Sequence, residues 1–145
     1  ILLSPLGPLV NKLSSKTQFK RSFSSVFGPR TKPGGDDIDI FWDILLYNDG
    51  KRVFHELISY MRDRKTHRQR WLDALKASCV PLQLINGSFD PVSGAHMVMR
   101  FRELGCMALD IVELPDIGHY PHVEAPDDVR RALIGFLNQV EEKKE

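Results

Sequence analysis

The sequence lacks several features that would place it quickly in a class of protein. Its formal net charge is only +1, so neither a nucleic acid nor an acidic partner is expected. It contains no run of about 18 apolar residues, which argues against a membrane-spanning helix. The cysteines, Cys79 and Cys106, do not make a disulfide framework, and their spacing suits no metal site. A reducing, intracellular compartment is therefore favoured, and no metal is expected.

The remaining composition is that of an ordinary globular protein. Hydrophobic residues make up 42% and charged residues 27% of the 145 positions, enough for one domain with a sizeable core. The sequence begins at Ile1 in ILLSPLGPLV, where Pro5, Gly7 and Pro8 interrupt the apolar residues too often for a signal peptide. Since it starts in mid-pattern without a methionine, we expect it to be a fragment of a longer protein.

Residues 1–77 form the first predicted region, and apolar residues recur in it at helical spacing. Leu6 to Leu13 and Phe19 to Phe27 each fit a short helix. Asp36 and Asp37 stand at the start of a third helix, where their carboxylates suit the positive helix end. A further helix is predicted from about Lys51, continuing or restarting through Leu75. The basic stretch Arg62–Arg70 is interpreted as a solvated helix surface.

Residues 78–145 form the second predicted region, in which two strands alternate with helices. Leu82 to Ile85 predict a buried strand closed by Asn86-Gly87, and residues 109–114 predict a second strand. Residues 95–104 between them fit a helix, so the pattern is a βαβ unit. The final helix begins near Pro126 and carries apolar residues at intervals of three and four. The predicted fold class is therefore α/β, with a helical region preceding the two strands.

A carboxylate and a histidine follow these two strands. Asp90 comes just after the first strand, and His119 lies in the loop after the second. Taken alone, Asp90 is better explained as a turn residue and His119 as an ordinary loop residue. Together, in this order and each preceded by a glycine, they fit the orienting acid and general base of nucleophilic catalysis. We therefore predict Asp90 and His119 as catalytic residues, while substrate-binding residues cannot be assigned.

The flanking motifs resemble those of a known family. NGSFDP and GHYPHVEAP, within residues 80–137, are similar to the C-terminal end of an α/β-hydrolase. VFGPRTKP, YNDGKR and HRQRW, within residues 17–76, resemble the helical cap of the epoxide hydrolase and haloalkane dehalogenase branch. The resemblance implies a partial α/β-hydrolase fold, consisting of a cap over residues 1–77 and the last two strands and helices over 78–145. It also implies that Glu124 and Pro126 occupy structural positions in the loop after the histidine.

The resemblance implies a longer parent that hydrolyses an epoxide, an ester or a related small apolar substrate. Asp90 and His119 would act there with a nucleophile and without a cofactor. The sequence departs from the family because it has no G-x-S-x-G or H-D-x-G pattern, and Ser88 lacks the strand–turn–helix context of a nucleophile. Two strands also cannot form a stable sheet by themselves. We therefore expect this chain to be inactive alone.

Two alternatives stay open from the sequence. The chain could instead derive from a non-catalytic interaction or regulatory protein that retains part of the fold, with Asp90 and His119 kept without a role. The resemblance also allows association of the parent with the endoplasmic reticulum membrane, although none of these residues indicates it.

Overall fold

The computed structural model describes residues 15–105 and 109–143. They are mostly helical and include one two-stranded parallel sheet, which is compatible with a partial α/β fold. The chain divides into two units. The first comprises the residues up to Ser25 together with Pro33–Leu72, and the second comprises Val26–Lys32 together with Asp73–Glu145. The helix predicted at Leu6 to Leu13 lies outside the described residues.

Short helices follow one another from Lys16 to Lys76. They are α1 (Lys16–Ser25), α2 (Gly35–Leu46), a 3₁₀ segment (Tyr47–Arg52), α3 (Phe54–Leu57), α4 (Tyr60–Thr66) and α5 (Arg68–Lys76). Helix α2 begins where Asp36 and Asp37 predicted a helix start. The carboxylate of Asp37 caps it by accepting a hydrogen bond from the backbone N–H of Gly34 at 2.9 Å. Ile38 is 1% exposed in the first unit. Aromatic side chains join α1 to α2, with Phe23 and Phe41 ring centroids 4.6 Å apart.

Two helix predictions in this region were wrong in extent. The helix predicted from Lys51 is interrupted, because around Ile58 and Ser59 the backbone N–H groups bond three residues back instead of four. The helix predicted through Phe27 ends at Ser25, and Phe27 is instead buried in the second unit. The basic stretch Arg62–Arg70 is exposed throughout, as predicted.

The predicted βαβ unit is present in the second unit. Strands β1 (Leu82–Gly87) and β2 (Leu109–Leu114) pair in parallel, in register from Leu82↔Leu109 to Gly87↔Leu114. Helix α6 (Ala95–Glu103) connects them, and its Val98 is fully buried. Residues 82–85 are half-buried, whereas a buried strand was predicted. Among the described residues β1 pairs only with β2, so its other side receives no strand.

Two further helices follow β2. The short α7 (Pro121–Glu124) occupies part of the predicted loop, and α8 (Pro126–Glu142) follows it. Pro126 lies in the first turn of α8 and Asp127 and Asp128 follow it, as predicted from their preference for the N-terminal end. Within residues 15–105 and 109–143, no helix combines the length and apolarity needed to cross a membrane.

Candidate active site

The loops that carry Asp90 and His119 meet at one edge of the sheet. Both strands of a parallel pair end on the same side, and here the last paired residues are Gly87 and Leu114. Backbone hydrogen bonds then join the two loops: the N–H of Ser88 donates to Leu114 and that of Phe89 to Ile117, at 3.0 and 2.9 Å. The fold therefore brings the carboxylate and the histidine to the same place.

The two predicted side chains are in hydrogen-bond contact. Nδ1 of His119 lies 2.7 Å from Oδ2 of Asp90. The Asp90 side chain is 4% exposed, whereas the His119 side chain is 37% exposed. The pair thus has a buried carboxylate and a ring that solvent can reach, which is the arrangement expected of an orienting acid and a general base. Their catalytic role stays a prediction.

Asp90 is held in its ionised form. Burial raises the pKa of this carboxyl. Hydrogen bonds from Ser93, His119 and the Val92 backbone, together with the charge of His119, lower the pKa by more than burial raises it. The net effect is a pKa below the usual value. An ionised carboxylate can only accept hydrogen bonds, so Nδ1 of His119 must donate. In the neutral ring, Nε2 is then the nitrogen with a free lone pair, as a base requires.

The histidine loop is also fastened through its backbone. The N–H of His119 donates to the carbonyl of Val26 at 2.8 Å. A Cβ at Gly118 would lie 2.3 Å from that carbonyl oxygen and 2.6 Å from the nitrogen of Gly28, so only glycine permits this approach. Sequence reasoning missed this contact between the loop and residues 26–32. The glycines and the VFGPRTKP segment were visible, but no local pattern shows that they meet.

Glu124 is the centre of a part-buried hydrogen-bond cluster, which we call the Glu124 clamp. Its donors on Oε2 are the N–H of Gly28, the hydroxyl of Thr31 and the N–H of Gly118, at 2.8, 2.5 and 2.9 Å. The N–H of Tyr120 donates to Oε1 at 3.1 Å. Burial raises the pKa of Glu124, but these hydrogen bonds outweigh it and lower the pKa overall. The clamp ties residues 28–31 to both neighbours of His119.

Tyr120 packs against the catalytic candidate. Its ring meets that of His119 edge-on, with centroids 5.1 Å apart, and it lies 5.2 Å from the ring of buried Phe27. Burial and the negative charge of Asp90 raise the pKa of the Tyr120 phenol, which keeps it neutral. Tyr120 therefore limits the movement of the imidazole without adding charge to the site.

Other candidate groups do not join this pair into a complete site. Ser88 lies in the turn after β1, with its N–H bonded to Leu114 and its carbonyl to Ala95. The next helix begins only at Ala95, so Ser88 lacks the sharp turn directly into a helix that exposes a nucleophile. His122 is exposed on α7. Among the residues that the structure describes, no group of three His, Cys, Asp or Glu side chains could hold a metal ion.

Comparison with known proteins shows relatives along almost the whole chain. A protein of Mycobacterium tuberculosis named Putative hydrolase LipZ is 40% identical over 137 residues, which cover 94% of this chain and 47% of that protein. The mesoderm-specific transcript protein of Mus musculus is 31% identical over 134 residues, covering 92% of this chain and 40% of its own length. The human homologue is 32% identical over the same length. This chain has hydrolase-like relatives.

The extent of these matches limits what they establish. The chain spans about half the length of the curated relatives it matches. No family model and no solved structure matches it. The relatives therefore support the predicted relationship to hydrolases in general, and the epoxide hydrolase branch stays a prediction.

Proposed function

We propose that the chain supplies the acid, the histidine and a helical cap of an α/β-hydrolase whose nucleophile lies outside these residues. The observation that carries the proposal is the 2.7 Å contact between Nδ1 of His119 and Oδ2 of Asp90 at the ends of two parallel strands. The similarity to a protein named as a hydrolase supports the same reaction class. The substrate class is a small apolar epoxide, ester or related compound.

In this proposal His119 and Asp90 carry out proton transfer. A nucleophile elsewhere in the protein attacks a carbon of the epoxide or ester and forms an ester intermediate. A C–O bond of the substrate breaks in the same step, and the oxygen released from that carbon takes up a proton and becomes a hydroxyl group. Nε2 of His119 then takes a proton from a water molecule, whose oxygen attacks the ester and releases the nucleophile. Asp90 accepts the hydrogen bond from Nδ1 throughout, and its charge stabilises the imidazolium that forms. The reaction needs no metal or organic cofactor.

The proposal is tested by turnover of the full-length protein that carries this chain. Wild type is assayed against panels of epoxides, esters and haloalkanes, beside His119→Ala. A general base contributes on the order of 10² to 10⁴ in rate, and His119 acts here on hydrolysis of the ester intermediate, so His119→Ala should lower kcat by that factor for any true substrate.

The matched control is His67→Ala, which makes the same change at an exposed histidine between α4 and α5. It should keep wild-type turnover. Equal turnover by His119→Ala and wild type would remove the histidine from the reaction. No turnover by wild type on any panel would favour the non-catalytic alternative.

A further inference from the structure

Ser93 contacts the same carboxylate oxygen as the histidine. Its hydroxyl donates to Oδ2 of Asp90 at 2.6 Å, while Nδ1 of His119 lies 2.7 Å from that atom. The other oxygen, Oδ1, accepts the backbone N–H of Val92 at 2.8 Å. Both oxygens are thus engaged by groups of the same turn. Rotation of the carboxylate would break at least one charge-assisted hydrogen bond, so Ser93 and Val92 fix its plane.

Asn86 in turn holds Ser93. From the end of β1, its Nδ2 donates to the backbone carbonyl of Ser93 at 2.7 Å, and the residue is only 6% exposed. Among the described residues, Oδ1 of Asn86 is buried and has no hydrogen-bond partner, which costs free energy. The Asn86 side chain thus leaves its Oδ1 without a partner among the described residues, while its Nδ2 holds the backbone of Ser93. A contiguous series of hydrogen bonds runs from the sheet through Ser93 and Asp90 to His119.

We propose that Ser93 is a positioning residue, whose hydroxyl holds Oδ2 of Asp90 against Nδ1 of His119, and that Asn86 supports it. Ser93 acts through Asp90 and not on the reacting atoms. The inference rests on the proposed function, because it concerns the same acid–histidine pair. Without the Ser93 hydroxyl, Asp90 would keep only the hydrogen bond from the Val92 N–H within its own turn. The Asp90 carboxylate could then rotate, and the His119 ring would no longer have an acceptor in a fixed position.

The test compares Ser93→Ala, which removes the hydroxyl, with Ser93→Thr, which retains one. The control is Ser78→Ala, since the Ser78 hydroxyl donates an exposed hydrogen bond to the nearby Val80 carbonyl, at 3.2 Å. In the full-length protein without substrate, ¹⁵N NMR of the His119 ring measures the fraction protonated at Nδ1, and ¹³C NMR follows the titration of Asp90. Kinetics of the same variants give kcat and KM.

We expect Ser93→Ala to lower the Nδ1-protonated fraction, to raise the pKa of Asp90 and to reduce kcat about tenfold with little change in KM. Ser93→Thr should restore all three, and Ser78→Ala should match wild type. If Ser93→Ala does not fold, Ser93→Val against Ser93→Thr makes the same comparison, since they differ by a single hydroxyl.

Unchanged ring tautomer and Asp90 titration in Ser93→Ala would overturn the inference. So would failure of Ser93→Thr to restore them, because the hydroxyl would then not be the cause. Both NMR measurements are independent of turnover. If Ser93→Ala shows the expected NMR changes while wild type hydrolyses no substrate, the result counts against the proposed function and not against the positioning by Ser93.

Discussion

The carboxylate of Glu124 accepts the backbone N–H of Gly28 at 2.8 Å, across 96 residues of sequence. The same oxygen accepts the N–H of Gly118, the residue before His119. A half-buried charged acceptor that several donors contact is worth more than a surface ion pair, because hydrogen bonds to charged groups are stronger and solvent screens them less than at the surface. The Glu124 clamp therefore fixes the path of the histidine loop, and with it the position of the imidazole.

Replacing Glu124 by glutamine should destabilise the protein by about 2 kcal/mol, since the amide keeps the shape but loses the charge, and its NH₂ cannot accept from N–H donors. The measurement is the free energy of unfolding from urea titration. The control is Glu103→Gln, because the Glu103 side chain is 60% exposed and forms a surface ion pair with Arg100. That variant should lose no more than about 0.5 kcal/mol. Equal losses in the two variants would contradict the clamp.

Stability should fall in acid because both site carboxylates have lowered pKa values in the folded state. For Asp90 and Glu124 the folded pKa lies below that of the unfolded chain, which is about 4. Their contribution is therefore complete above about pH 5 and disappears as the pH falls through the folded pKa values. Urea titrations from pH 6 to pH 3 should show this loss. Glu124→Gln should have a shallower dependence below pH 5, and identical slopes would show that Glu124 does not contribute.

The acid–histidine contact could be predicted from the sequence because it depends on local patterns. Two apolar runs separated by a helix predicted parallel strands, and such strands end at one edge of their sheet. Asp90 and His119 lie in the loops that follow those two runs, so their order and spacing in the sequence were enough to place them at the same edge. Pro126 and the acidic first turn of α8 were predictable for the same reason.

The Glu124 clamp and the interruption of the helix predicted from Lys51 could not be predicted from the sequence, for different physical reasons. Thr31 and Glu124 are joined by tertiary packing across 93 residues, and neither side chain has a local pattern that names its partner. Around Ile58 the apolar spacing continues without a proline or glycine, so the period alone could not show that the backbone changes to three-residue hydrogen bonds. The sequence indicated that Ser93 lies in a turn, but no pattern showed that its hydroxyl contacts Asp90.

Two glycine-to-alanine substitutions should have opposite effects on stability. At Gly118 a Cβ would lie 2.3 Å from the Val26 carbonyl oxygen, which is backbone and cannot rotate away. Gly118→Ala should therefore cost about 2 kcal/mol or more and displace the histidine loop. Gly135 lies inside α8, and apart from its chain neighbours and the helix's own backbone no atom of the described residues lies within 4 Å of an added Cβ, so Gly135→Ala should stabilise the protein by about 0.5 to 1 kcal/mol. Urea titration measures both, and ¹⁵N NMR of the His119 ring should change only in the first. A Gly118→Ala variant as stable as wild type would show that residues 26–28 do not hold the loop in this way.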